Sequence, residues 1–391
     1  MRLLAVGGGG LATGYSRVFG SLLSELARSL EVVHFAPNLL EEGAKCSYPV
    51  LPRQIRGDIF GREALPSLLD RYDPDAVLLL HDPPFWSIHE EALLRRGTFN
   101  VFYCPIEWDT LHPGILRSFA TLDRAVLFTE FGLGVVERAF ADEPEKMPSL
   151  AVIPHGIDIE AFHPLAKSIP ESRAVARRRL FPDRPELRDA FIVLNANRNC
   201  PRKRIDATLR GFALFARDRP DAWLYLHMGM KDSGCDVLAL AAELGIRDRL
   251  LTTTAEPERP KIEDEELNVI YNACDVGLNT STGEGWGLVA FEHAATGAPQ
   301  IVPNHSACRE LWEGHGVLFE CGEFEIEAAV VAQVIEALYR DPDLRERLSE
   351  RVLTYTREER FRWSAIAGQW RDLLSVVATP SASSFPSLEP R

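Results

Sequence analysis

Short apolar runs recur through the first part of the chain at near-regular intervals: "RLLAVG", "EVVHFA", "AVLLLH", "NVFYCP", "RAVLFT" and "LAVIPHG". Each is of strand length, rich in leucine or β-branched residues, and ends in a turn or polar residue. This is the pattern of a parallel strand covered on both faces. Between the first two runs, Val18, Phe19, Leu22, Leu23 and Leu26 fall at helical spacing, so a helix joins them. A chain that repeats strand, helix and strand is confined to the α/β class with a parallel sheet.

The pattern breaks over residues 164–190, "PLAKSIPESRAVARRRLFPDRPELRDA", which is rich in proline and arginine. We place the domain junction there. It then restarts: strand "FIVLNANRN", helix "RIDATLRGFALFARDRP", strand "AWLYLHMG", helix "DVLALAAELGI", strand "LLTTT", helix "EELNVIYNAC", strand "DVGLNTS", a glycine turn, helix "LVAFEHAATG" and strand "PQIVP". A length of 391 residues exceeds what one hydrophobic core serves. Two doubly wound domains, 1–165 and 166–355, are therefore expected. Phe361, Ile366, Trp370 and Leu373 mark a final helix within 356–378, and 379–391 has the composition of a flexible tail.

Composition removes several classes of function. The apolar runs stop well short of the roughly 20 residues of a membrane span, and the opening "MRLLAVGGGG" lacks the apolar core and cleavage site of a signal peptide. A cytoplasmic location is expected. Seven scattered cysteines include no Cys-x2-Cys pair, which points to reduced thiols rather than zinc or redox chemistry. A net charge of −14 argues against nucleic acid as a partner, because such affinity rests on neutralising phosphates.

Three stretches carry candidate chemistry. "VGGGGLATGYSRVFG" follows a strand and opens a helix, a geometry that offers backbone N–H groups to a phosphate. The dinucleotide spacing fails, since Thr13 stands where a third glycine would follow Gly8 and Gly10, and "EVVHFAPN" ends without a ribose-binding acid. Taken alone, the loop is equally a tight turn. "NANRNCPRKR" puts Arg198 and Lys203, with Arg202 and Arg204 alongside, at the carboxyl edge of the second sheet, where open α/β sheets bind ligands. A solvated basic loop is the plainer alternative. In "GEGWGLVAFEHAATG", Gly285 and Gly287 bring backbone close to whatever lies above the preceding strand. Glu292 sits one turn into the following helix. A carboxylate buried there needs donors, which sugar hydroxyls or a nearby arginine supply equally well.

Together, "NRNCPRK", "EGWGLVAFEHAATGAP" and "VIPHGIDIEAFHP" resemble the retaining family-4 glycosyltransferases of the GT-B fold. The resemblance covers most of the chain and is strongest over 150–320. It implies two Rossmann-like domains facing a central cleft, the first for the acceptor and the second for a nucleotide sugar, with the final helix crossing back to the first. By this resemblance Arg198 and Lys203 grip the donor diphosphate, Glu284 binds hydroxyls of the transferred sugar, and Glu292 holds the ribose. Gly285, Trp286, Gly287, Leu288 and Val289 form the donor turn, and Gly9, Gly10 and Gly14 close over the diphosphate from the first domain. It also implies transfer of a hexose from a UDP- or GDP-sugar to an acceptor hydroxyl with retention, the acceptor being a saccharide, a lipid-linked saccharide or a small-molecule glycoside.

Stabilising a departing phosphate takes a metal or fixed cations. The sequence has the cations and no Asp-x-Asp or comparable metal cluster, so no metal and no cofactor beyond the donor is expected. The chain departs from the family after its fourth strand, reading "CPIEWD" where many members place a histidine. Glu107 and Asp109 are candidates for acceptor or sugar contact there, as are His81 and Asp82, with a solvated loop residue the plainer reading of each. His155 is either a cleft residue near the hinge or a satisfied histidine. Lipid-linked acceptors in the family raise weak membrane-surface association through Arg177 to Arg179, which the net charge opposes. The competing readings are a nucleotide-sugar 2-epimerase, for which no acid/base set around C2 can be placed, and a non-catalytic nucleotide-sugar binder, in which Glu284 or Lys203 would be missing.

Overall fold

A computed structural model of the chain describes residues 1–10, 13–41, 46–258, 260–322 and 325–376; the predicted tail lies outside them. The strands form two parallel sheets. The first holds β1 (Arg2–Gly7), β2 (Glu31–Phe35), β3 (Val50–Leu51), β4 (Ala76–Leu80), β5 (Phe99–Cys104), β6 (Arg124–Leu127) and β7 (Ser149–Val152), in the order β3-β2-β1-β4-β5-β6-β7. The second holds β8 (Phe191–Asn195), β9 (Ala222–Leu226), β10 (Leu250–Thr252), β11 (Val276–Leu278), β12 (Gln300–Pro303) and β13 (Val317–Phe319), in the order β10-β9-β8-β11-β12-β13. Every described strand pair is parallel. The α/β class with two doubly wound domains is therefore the observed one. Two short strands, β3 and β13, are additions to the expected set, since two or three residues show no period of their own.

The helices are α1 (Gly14–Leu26), α2 (Leu65–Tyr72), α3 (Trp86–Arg96), α4 (Pro113–Phe119), α5 (Glu130–Ala139), α6 (Ile169–Leu180), α7 (Ile205–Ala216), α8 (Val237–Glu243), α9 (Asp264–Ala273), α10 (Leu288–Ala294), α11 (Ser306–Trp312), α12 (Ala328–Arg340), α13 (Pro342–Thr356) and α14 (Trp363–Ser375). The stripe expected on α1 is buried in full: Val18, Phe19, Leu22, Leu23 and Leu26. Thr13, which spoils the dinucleotide spacing, caps this helix by accepting from the Ser16 N–H, worth about 1 kcal/mol.

The proline- and arginine-rich junction is not a loose linker. Ser168 caps α6, which packs on α9. Arg177 there is only 4 % exposed, and its guanidinium donates to the Ala273 and Arg188 carbonyls and to Asp275, with Arg173 completing the ion pair. Of the arginines at 177 to 179, Arg177 is thus spent on internal bonds, while Arg178 and Arg179 are exposed. Among the described residues no helix is long and apolar enough to cross a membrane.

Residues 357–362 are not helical throughout; a short 3-10 turn at Glu359–Phe361 separates α13 from α14. The turn returns the chain to the first domain, where the Ile157 N–H donates to the Phe361 carbonyl and α14 packs on α1. A continuous buried cluster joins Tyr103, Trp370, Phe291 and Trp286, so the two domains meet through packed aromatic rings.

Candidate functional site

In an open parallel sheet the crevice lies beyond the carboxyl ends of the strands where the strand order reverses. In the second domain that point falls between β8 and β11. The loop after β8 supplies Arg202 and Lys203, and the loop after β11 supplies Ser281 and Glu284. Thr280 stitches the two together, its hydroxyl donating to the carbonyls of Lys203 and Arg204.

Four groups converge there. Lys203 Nζ lies 2.5 Å from Glu284 Oε2, Arg202 Nη1 lies 3.3 Å from the same oxygen, and Ser281 Oγ donates to it at 3.0 Å. Burial alone would raise the Glu284 pKa. Lys203 and Arg202 outweigh it and bring the carboxyl down to about 2, so Glu284 is ionised. His305 Nε2 pairs with the Ser281 carbonyl, its Nδ1 pairs with Ser306 Oγ, and Ser306 in turn accepts from the Glu284 N–H. Gly287 then takes a left-handed φ of 92° and α10 begins, a conformation that suits glycine.

The first domain closes on this cluster. Arg202 Nη2 reaches Glu107 Oε1 at 2.8 Å, and burial pushes the Glu107 carboxyl up to about 7, against the Arg202 charge and with help from Glu284 and Asp82. A Cβ on Gly285 would lie 2.3 Å from Pro105 Cβ, and one on Gly283 would lie 2.8 Å from Trp108 Nε1. Only glycine allows the turn and the loop after β5 to touch. A cavity of about 510 Å³ opens beside this contact, its walls including Glu107, Asp109, Thr282, His305 and Arg309.

A second contact joins α1 to α10. Glu292 is buried, accepts from the Tyr271 hydroxyl at 2.9 Å, and meets Arg17 Nε at 3.3 Å; Arg17 also pairs with Asp264 at 2.8 Å. Of the two donors open to Glu292 in the sequence, the structure contains the arginine, and it comes from the other domain. Gly14 approaches Leu288. Gly9 is held through both its N–H and its carbonyl by the Asn38 side chain, and Gly10 has a φ of 65°; residues 11 and 12 between them and Gly14 lie outside the described residues.

Lys203, Glu284, Gly285 and Gly287 thus stand together on the second domain's crevice, followed by Leu288, Val289 and Glu292 on α10, and of the first-domain glycines Gly14, at the start of α1, approaches Leu288. Three candidates are placed otherwise. Arg198, which the resemblance pairs with Lys203, has a side chain 63 % exposed and forms a two-pronged pair with Asp232, and in this structure Arg202 stands beside Lys203 at Glu284. The free rotation of a long side chain at a strand end is not encoded in spacing. Trp286 turns into the core, where it is buried and stacked on Phe291. His155 is a satisfied core histidine: Tyr103 Oη lies 2.7 Å from its Nδ1, and burial lowers its pKa to about 3. Asp82 accepts a hydrogen bond from the Tyr15 hydroxyl and His81 stacks on Phe85, while Asp109 borders the large cavity. Tyr15, Arg17, Tyr271, Ser281, His305 and Ser306 were not foreseen. Arg17 was accessible in principle, because it follows Gly14 by three positions and shares its helical face; the others depend on strand order. Among the described residues no group of three or more His, Cys, Asp or Glu is arranged to hold a metal ion.

A family model described as "Glycosyl transferase-like" matches residues 237–372. Among curated proteins, the D-inositol 3-phosphate glycosyltransferase of Streptomyces coelicolor is 28 % identical over 280 residues, 68 % of this chain and 57 % of that protein. That of Thermobispora bispora is 32 % identical over 237 residues, 58 % of this chain and 49 % of that protein. The chain spans about half the length of the curated relatives it matches. Among solved structures, sucrose-phosphate synthase from Thermosynechococcus elongatus superposes with a TM-score of 0.74 at 19 % identity, over 96 % of this chain and 99 % of that one. HepE from Anabaena, solved in complex with UDP and glucose, superposes with a TM-score of 0.74 at 18 % identity, over 96 % of this chain and 100 % of that one. Its paired α/β domains superpose on these structures over nearly their whole length, so the chain has the two-domain GT-B fold, and its sequence is similar to glycosyltransferases.

Proposed function

We propose that the chain moves a hexose from a UDP- or GDP-sugar to an acceptor hydroxyl, with retention of configuration and without a metal ion. The observation that carries this reading is the meeting of Lys203, Arg202 and Glu284 at the second domain's switch point, directly under the first-domain loop that bears Glu107. Cleaving the bond between sugar and diphosphate leaves negative charge on phosphate oxygen, and fixed cations in a water-poor crevice stabilise it most. Lys203 and Arg202 are such cations. Glu284 keeps them oriented and, as a permanently ionised acceptor, suits the hydroxyls of a sugar. The turn at Gly287 adds the backbone N–H groups of Leu288 and Val289.

On this reading the departing phosphate takes the proton of the incoming hydroxyl, and no side chain acts as an obligatory base. HepE was solved with UDP and glucose, which favours a uridine donor for a chain of this fold. Cys104, Cys200, Cys235, Cys274, Cys308 and Cys321 are free thiols, consistent with a reducing, cytoplasmic setting.

The test is transfer from a panel of UDP- and GDP-sugars, with product anomers assigned by NMR. Lys203→Met and Glu292→Ala are each expected to lower turnover at least about 100-fold with an unchanged circular dichroism spectrum. Activity should persist in EDTA. Wild-type turnover in either variant would remove the site assignment, and strict dependence on a divalent ion would remove the metal-free chemistry.

A further inference from the structure

Arg17 stands on α1 in the first domain, and the two acids it meets stand in the second: Glu292 on α10 and Asp264 at the start of α9. Each Glu292 oxygen has a partner, Oε1 the Arg17 Nε at 3.3 Å and Oε2 the Tyr271 hydroxyl at 2.9 Å. The cavity beside the pair measures about 50 Å³, well short of the roughly 150 Å³ that takes a benzene-sized ring. A few waters fit there and a sugar ring does not. With the Glu292 side chain only 6 % exposed, nothing larger reaches it until Arg17 moves.

Arg17 is placed to move. Its Nη2 holds Asp264 at 2.8 Å, and the Asp264 side chain is 48 % exposed, so the guanidinium keeps a partner nearer solvent when it leaves Glu292. Its buried Nη1 has no hydrogen-bond partner among the described residues, a penalty of the present position that rotation toward solvent relieves. Asp158, another acid on the cavity wall, is committed to the Glu160 and Ala161 N–H groups. The Arg17 stem lies against the Phe162 ring, with the guanidinium carbon 5.2 Å from its centroid, so the head can swing while the stem stays packed.

We propose that Arg17 is a displaceable latch between the domains: without ligand it occupies the Glu292 carboxylate, and a nucleotide whose ribose hydroxyls take that carboxylate must first drive it off onto Asp264. The latch stands on the geometry; its displacement by a nucleotide rests on the transferase reading. Because Glu292 is open to ligand only while the latch is released, the apparent affinity is the intrinsic one reduced by the released fraction. A latch closed about nine-tenths of the time weakens the nucleotide about tenfold. A cation that served the diphosphate would strengthen binding instead, so the sign of the change on removing Arg17 separates the two roles.

Calorimetric titration of the whole chain with UDP and with GDP reads that sign. Arg17→Met, which keeps the stem on Phe162, is expected to bind the nucleotide about tenfold more tightly than the wild type. Arg17→Lys restores the ion pair and should bind about as the wild type does, and Arg17→Met/Glu292→Gln no more tightly than Glu292→Gln alone. Weaker or unchanged binding in Arg17→Met would overturn the proposal. Thermal unfolding without ligand checks the pair itself: the double variant, which leaves neither charge buried without its partner, should lose less in Tm than the two single variants summed. Additive losses would overturn the latch whether or not a nucleotide binds. Non-additive losses with neither nucleotide bound by any of the proteins would leave the latch standing and remove the transferase reading instead.

Discussion

Replacing Glu107 with glutamine probes the charge arrangement where the domains meet. In the folded chain its carboxyl is drawn from 4.5 to about 7, chiefly by burial; Arg202 opposes the rise, and Glu284 and Asp82 reinforce it. The folded value therefore lies above the unfolded one. Between about pH 4.5 and about pH 7 the folded chain retains a proton that the unfolded chain has released, so this group's contribution to stability is lost as pH rises through that window. A gap of about 2.5 pH units, at 1.36 kcal/mol each, amounts to about 3 kcal/mol. Glutamine does not titrate. Glutamine also presents no charge to Arg202, 2.8 Å away, but that attraction acts only on the ionised carboxylate and is already contained in the folded value. Urea unfolding of both proteins, from about pH 4.5 to about pH 7.5, should show the difference in stability moving in the variant's favour by up to about 3 kcal/mol. Parallel curves would show that Glu107 titrates as an ordinary surface acid, and the closed contact between Arg202 and the loop after β5 would then be wrong.

Two further changes address the fold. Gly285→Ala places a methyl group 2.3 Å from Pro105 Cβ at a position with an ordinary φ, so each domain should keep its structure while the pair is forced apart; an unchanged radius of gyration in small-angle scattering would contradict the observed contact. Arg177→Met leaves Asp275 buried with Arg173 and the Ile192 N–H as its remaining donors, and should cost about 3 kcal/mol in denaturant unfolding; a loss below about 0.5 kcal/mol, the range of ordinary surface changes, would place Arg177 at the surface.

The strands and helices were legible because their period is a local property. A run such as "AVLLL" buried on both faces has few other folded uses, and the α1 stripe identifies its own inward side. The candidate site was legible where a loop's composition is tied to a strand end, as for Lys203, Glu284 and Gly287. It was illegible where a side chain chooses between partners remote in sequence: Arg198 and Arg202 are chemically equivalent and four positions apart, and only the location of Asp232 on the neighbouring loop takes one away and leaves the other.

The sequence by itself determined that this chain forms two parallel α/β domains and that basic and acidic groups sit at the carboxyl ends of the second domain's strands, because alternation of strand and helix admits little else. Tertiary structure alone decided that Arg17 crosses to Glu292 and that Arg202 bridges Glu107 and Glu284. Those pairings depend on which strands become neighbours and how closely two domains approach, and both follow from packing between residues at least 82 positions apart, which no local spacing encodes.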